Sequence, residues 1–263
     1  MLRDDSAWLL ECYREERTVR PGIPYMELAD GGAPFGVVKL ADPFRLQPVL
    51  DLEPKLDFNE AVTRLVAYDS ATRSLTVQKS FYSDGVKSNY AMERLRGLFQ
   101  AEYGYRLPPL SDARLSNGIG TAVVVFTAEG PYLPRRARGQ AVFPKGYHCT
   151  ASGEATWIES AHTFDEIFTA NILRELEEEV GLAAEDLDWI QPVSFCREFL
   201  RGGKPQFFFQ GYTRLSAGQL RERRQAAIAR QLANGRQEVE DDVATDFSDL
   251  TVEAAANLAL IVS

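Results

Sequence analysis

Apolar residues recur at helical spacing through Phe164, Ile167, Phe168 and Ile172, which predicts a helix beginning near Thr163. Gly181 followed by Leu182 supplies its stop signal. Residues 119–127 are strongly apolar and β-branched, the pattern of a buried strand. Glu129-Gly130 marks a turn, and 132–136 reads as the returning strand. Residues 141–151 lead into a turn at Ser152-Gly153. Two further strands, 189–199 and 206–213, are joined by Arg201-Gly202-Gly203-Lys204. Phe207, Phe208 and Phe209 must alternate faces in the second of them, so two are expected in the core. Helices are predicted over 217–233 and 252–261, and the polar, acidic stretch 234–249 is expected to be a loop.

The first part of the chain has a different order. A helical start at 6–16 precedes a strand at 35–40. Residues 65–68 and 75–79 read as a hairpin around Asp69-Ser70-Ala71-Thr72, and a helix follows over 89–103. Pro108-Pro109-Leu110-Ser111-Asp112 is a turn-rich link. It sets the expected division: an N-terminal α+β unit at 1–112 and a second domain at 113–263. The N-terminal unit has no nameable chemical motif. Tyr82, Asp84, Lys87 and Tyr90 could line a site, but polar loop residues usually face water. No internal repeat is visible.

Composition narrows the classes. A chain of 263 residues with 45% apolar and 25% charged residues can bury a substantial core. A net charge of −9 argues against a nucleic-acid scaffold, which wants a basic face. Three widely spaced cysteines, Cys12, Cys149 and Cys196, suit a reducing compartment, and no Cys/His grouping suggests zinc. The start lacks a signal-peptide pattern, and no apolar run approaches the ~20 residues of a membrane span. The expectation is a soluble cytoplasmic protein with no membrane partner.

The chemistry concentrates at 174–182, Arg-Glu-Leu-Glu-Glu-Glu-Val-Gly-Leu. Helical neighbours lie three and four positions apart, so Glu175, Glu178 and Glu179 are expected to converge while Glu177 points away. Like charges brought together repel, and hard cations such as Mg²⁺ or Mn²⁺ would relieve that. The competing reading is a solvated charged face. Arg174 at the head of the cluster and the apolar helix behind it favour the metal.

Arg-Glu-Leu-x-Glu-Glu-x-Gly-Leu resembles the core of the Nudix box, Gly-x5-Glu-x7-Arg-Glu-U-x-Glu-Glu-x-Gly-U with U aliphatic. Glu166 stands eight residues before Arg174, at the place of the first glutamate. The box glycine is displaced: Ser160 occupies its position, and the nearest equivalent is Gly153. The resemblance implies an α/β/α sandwich, to which the N-terminal α+β unit read from the element pattern is an extension. It also implies Mg²⁺- or Mn²⁺-dependent hydrolysis of a nucleoside diphosphate linked to another group. Glu175, Glu178 and Glu179 then match the metal-binding glutamates, and Arg174 the arginine that fixes a box carboxylate. Glu166 matches an orienting or structural partner, and Gly153 the glycine whose carbonyl helps hold metal. Glu178 is one candidate general base; Glu198, Glu238, Glu240, Asp241 and Asp242 are others.

For the nucleotide substrate, Arg135, Arg136 and Arg138 lie near the hairpin where relatives often carry a basic residue facing phosphates. Arg197, Arg201 and Lys204 flank a glycine loop and could do the same. Trp157 could cap a base or simply pack. His148 and Cys149 invite comparison with isopentenyl-diphosphate isomerase, which shares the fold. The intact acidic box speaks against that, and a free Cys in an apolar strand is usually core. A nucleotide-binding sensor module with little turnover is the other alternative. The N-terminal unit could supply a lid or a homodimer contact.

Overall fold

The computed structural model describes residues 25–29, 35–53, 56, 59–69, 71–104, 106–137, 146–233, 235, 239–244 and 249–261. The helical start expected at 6–16, Cys12, Arg138 and Glu238 lie outside them. The fold is mixed α+β. Contacts divide the chain into two compact units, each made of three stretches. The first takes Met1–Gly120, Glu154–Ile167 and Phe195–Gln206; the second takes Thr121–Gly153, Phe168–Ser194 and Phe207–Ser263.

In the first unit, β1 (Tyr25–Ala29) pairs antiparallel with residues 195–198, Tyr25 opposite Glu198. Strands β2 (Gly36–Lys39), β3 (Ala61–Asp69) and β4 (Ser74–Phe81) form a sheet of order β2-β4-β3. The hairpin turn is closed locally, because Asp69 Oδ1 accepts the amides of Ala71 and Thr72. Next come α1 (Tyr82–Val86), a 3₁₀ turn at Asn89–Ala91 and α2 (Met92–Tyr103), as the apolar spacing predicts from 89 to 103. Helix α2 buries Met92, Leu95 and Phe99 against Leu115.

The proline-rich link is anchored from below. Arg64 is buried on β3 and donates to the carbonyls of Leu110 and Asp112, with its guanidinium over the Phe44 ring. Beside it, Arg114 forms a fork onto Asp112 and Glu102, each at 2.6 Å, and the Tyr103 hydroxyl donates to Asp112 at 2.9 Å.

The second unit holds residues 121–127 of β5 (Gly120–Thr127), β6 (Gly130–Tyr132), residues 189–194 of β9 (Trp189–Glu198) and residues 207–212 of β10 (Lys204–Tyr212), in the order β9-β10-β5-β6, with β8 (Ala151–Glu154) pairing β5. Phe207, Phe208 and Phe209 are all fully buried, not two of them. Since consecutive strand residues alternate sides, both faces of β10 are covered. Helix α3 (Ala170–Val180) packs against α4 (Ala217–Ala233), and α5 (Val252–Ile261) donates from Asn257 to the Phe209 carbonyl.

Two expectations change here. The 234–249 stretch contains β11 (Val239–Val243), which pairs with β7 (Pro134–Arg136). Its acidic character hid a strand whose Asp241 accepts from Gln225 and Arg221 of α4. Ser152-Gly153 is no turn but part of β8, and Gly153 is a glycine for reasons of space. Among the described residues, no helix is long and apolar enough to cross a membrane.

Helix α3 ends as its sequence predicts. Gly181 has φ +70°, its amide donates to the Glu177 carbonyl, and the Leu182 amide donates to Leu176. A Cβ on Gly181 would also come within 2.9 Å of the Arg223 carbonyl oxygen. Gly181→Ala is therefore expected to destabilise the protein by at least about 1–2 kcal/mol, read as a lower urea midpoint at unchanged slope.

The Arg114 cluster predicts stability at both ends of the pH range. Burial pushes the Asp112 carboxyl up, but hydrogen bonds from Arg114 outweigh it and hold it below the usual carboxylate range. Arg114 also holds Glu102 low. Both contributions are present above the unfolded values near ~4 and are lost as pH falls through the depressed ones. Burial, then the Asp112 hydrogen bond, pushes Tyr103 up to about 12. Its contribution is complete below the unfolded value near ~10 and is lost as pH rises through about 12. Arg114→Met should flatten the acid limb of a stability–pH curve measured by denaturant titration and leave the alkaline limb in place, since the Arg114 charge opposes the upward shift of Tyr103; an unchanged acid limb would contradict this.

Candidate functional site

The acidic motif occupies α3, behind a π-helical turn at Asp165–Thr169. Helix geometry sets the exposure pattern. Glu175 and Glu179, one turn apart, are 7% and 5% exposed, while Glu177 and Glu178 face solvent. The expected convergence of three carboxylates is thus revised: Glu178 turns outward to Arg174. Among the described residues, no three His, Cys, Asp or Glu groups stand together as they would to hold one metal ion.

Arg174 organises what is there. One of its nitrogens donates to Glu175 Oε1 at 2.6 Å and to Asn171 Oδ1 at 3.0 Å, and the other donates to Glu178 Oε2 at 2.9 Å. Burial opposes the charge on Arg174, but Glu175 and Glu178 beside it overcome that and raise its pKa. From Asn171 the bonding continues: its amide donates to Thr121 Oγ1 at 2.9 Å, and that hydroxyl donates to the Gly153 carbonyl at 3.3 Å. The circuit closes by contact, since a Cβ on Gly153 would overlap the Glu175 carboxylate. Sequence spacing alone places Gly153 seven positions too early; the structure places it against Glu175.

Glu166 caps the start of the helical stretch. Its carboxylate accepts the amides of His162 and Thr163, and Thr163 Oγ1 accepts the Glu166 amide. That is a capping box at the start of the helical stretch. The backbone bonds hold the Glu166 carboxyl below its usual range.

The basic candidates separate. Arg136 reaches Ser152 Oγ at 3.4 Å, next in sequence to Gly153. Arg135 is engaged with Asp242 at 2.8 Å and with the Tyr147 hydroxyl, its guanidinium lying over the Tyr147 ring. Arg197 is 7% exposed and donates to the carbonyls of Gly203 and Pro108, so its guanidinium serves the fold. Arg201 pairs with buried Glu198 at 3.2 Å, and Lys204 stands beside Glu154. Trp157 lies beneath the Lys39 ammonium, 4.2 Å from its ring centre. His148 is buried between Thr251, Ser152 and Glu253. Burial pushes the Cys149 thiol far up, which keeps it protonated. Cys149 and Cys196 are both buried thiols outside any disulfide.

The donor set suits a hard cation. Carboxylate and carbonyl oxygens are what Mg²⁺ prefers, and it commonly uses one or two carboxylates together with waters and substrate phosphates. Glu175, Glu179 and the Gly153 carbonyl offer such oxygens, and Glu178 joins them only by leaving Arg174.

Gly153→Ala is expected to drive the Glu175 carboxylate from its place. Overpacking of this kind costs about 1–3 kcal/mol, seen as a lower urea midpoint, and Mn²⁺ binding followed by calorimetry should fall with it. A variant equal to the parent in both respects would mean that Gly153 does not position Glu175.

No protein-family model and no curated relative matches this chain. Among solved structures, DR0079 from Deinococcus radiodurans aligns at 17% identity with a TM-score of 0.30. That alignment covers 47% of this chain and 77% of DR0079, a likeness too slight to assign a fold.

Proposed function

We propose that this chain is a Nudix-type hydrolase. It would use Mg²⁺ or Mn²⁺ to cleave a pyrophosphate bond in a nucleoside diphosphate linked to another group. The observation that carries the reading is the circuit around Arg174, with Glu175 buried against Gly153 and Glu179 one turn further on. The motif resemblance and the sheet with both faces of β10 covered are in keeping with an α/β/α sandwich.

Each residue then has a task. Glu175, Glu179 and the Gly153 carbonyl would hold the metal through oxygen, and Arg174 fixes the Glu175 rotamer. Glu178, half exposed and movable, takes the proton of the attacking water when it swings from Arg174. Arg136 lies toward the diphosphate. When bound, the metal would offset phosphate charge and lower the pKa of a coordinated water. Positioning and charge compensation remain the work of the protein.

One observation favours a second reading, a nucleotide-binding module with little turnover. Glu178 is tied to Arg174 at 2.9 Å, which keeps it out of a metal cluster. A panel of nucleotide sugars, dinucleotides and nucleoside triphosphates with Mg²⁺ or Mn²⁺, scored by phosphate release after phosphatase treatment, decides between them. Glu178→Gln is expected to cut turnover by about 10²-fold or more. Its stability should shift by no more than about 0.5 kcal/mol, since an exposed i,i+4 pair is worth little. A fully active Glu178→Gln protein would remove Glu178 from the mechanism. Nucleotide binding with no turnover on any substrate would select the second reading.

A further inference from the structure

The first unit holds a buried charged group that the hydrolytic reading does not use. Glu154 ends β8 and Lys204 opens β10, and their side chains are 9% and 3% exposed. The Tyr90 hydroxyl donates to Glu154 Oε1 at 2.7 Å, and Lys204 Nζ stands 3.5 Å from the same oxygen. A charge-assisted N–H···O bond closes to about 2.7–2.9 Å, so this pair is not drawn tight. The other carboxylate oxygen, Glu154 Oε2, is buried with no hydrogen-bond partner among the described residues. Buried polar atoms are nearly always bonded, so such an oxygen asks for a donor. Burial, then the charge of Glu154, raises the Tyr90 hydroxyl well above its usual range, so Tyr90 stays a donor to Oε1 and leaves Oε2 as the vacant acceptor.

These polar heads pack against two glycines, Gly118 and Gly120. A Cβ on Gly118 would meet Glu154 Oε1 at 3.1 Å and Oε2 at 3.2 Å. A Cβ on Gly120 would come within 2.8 Å of Lys204 Nζ and would overlap the Gln206 carboxamide, itself on a residue 3% exposed. The result is an ammonium donor, a carboxylate acceptor and a carboxamide that offers both, packed against Gly118 and Gly120.

We propose that Glu154, Lys204 and Gln206 form a recognition site for a neutral planar edge that carries a carbonyl beside a ring N–H, as oxo-nucleobases do. The opposite charges of Lys204 and Glu154 cancel, so the site calls for a dipolar edge and not for an ion. Lys204 donates to the carbonyl oxygen, Glu154 Oε2 accepts the ring N–H, and Gln206 takes an adjoining group. This deepens the nucleotide reading by naming the base, and it rests on that reading for the choice of a nucleoside.

Calorimetric titration of the full chain with guanosine and uridine, without divalent cation, tests it. Both are expected to bind, and N1-methylguanosine and N3-methyluridine to bind at least about tenfold more weakly, because a site built to accept an N–H rejects the analogue that lacks it. Glu154→Gln can keep its carbonyl on Tyr90 and present an amide N–H where Oε2 was, which turns the acceptor into a donor. It should weaken guanosine and uridine by at least about tenfold with the urea midpoint near that of the parent. Equal affinity for methylated and unmethylated nucleosides, absence of binding, or undiminished binding by folded Glu154→Gln overturns the proposal. The methylated ligands carry the test if the variant does not fold. Failure of hydrolysis on the nucleotide panel leaves this metal-free titration unaffected.

Discussion

Burial of negative charge on α3 is the constraint from which its surroundings follow. Two carboxylates one turn apart, both nearly excluded from water, would be very costly without compensation. Arg174 supplies a countercharge to buried Glu175 from the same helix, and reaches exposed Glu178 as well. Asn171 and Thr121 then hand the hydrogen-bonding polarity across to the Gly153 carbonyl. Gly153 cannot carry a side chain, because Glu175 already fills the space. One helical segment thus dictates residues on β5 and β8.

Much of this was legible in the sequence, for identifiable reasons. Helices at 217–233 and 252–261, the α3 terminus at Gly181 and the strands at 119–127 and 189–199 follow from periodicity and from one left-handed glycine. Strand β11 was hidden because Glu240, Asp241 and Asp242 look like a solvated loop until α4 and Arg135 supply their partners. The third phenylalanine of 207–209 was misjudged because alternation says which side a residue faces, not whether that side is covered.

The site shows the same division. Spacing along one helix identified Glu175, Glu178, Glu179 and Arg174, but not which carboxylate the arginine would turn outward. That depends on Asn171 and Thr121, which carry no signal in sequence. Arg197 and Lys204 looked like phosphate ligands because they flank a glycine loop. Burial decides otherwise: Arg197 is spent on two backbone carbonyls, and Lys204 lies beside a carboxylate fifty residues earlier in the chain.

The alternation of the two units along the chain has a consequence for its modularity. Residues 154–167 and 195–206 belong with the first unit although they follow residue 120. A break at 112/113 would strip Arg197 of the Pro108 carbonyl, Thr156 of its bridge to Val62 and Gly118 of its bridge to Arg64. No single scission yields either unit whole. Recombination or fusion must therefore keep residues 154–167 and 195–206 with the stretch that ends at Gly120.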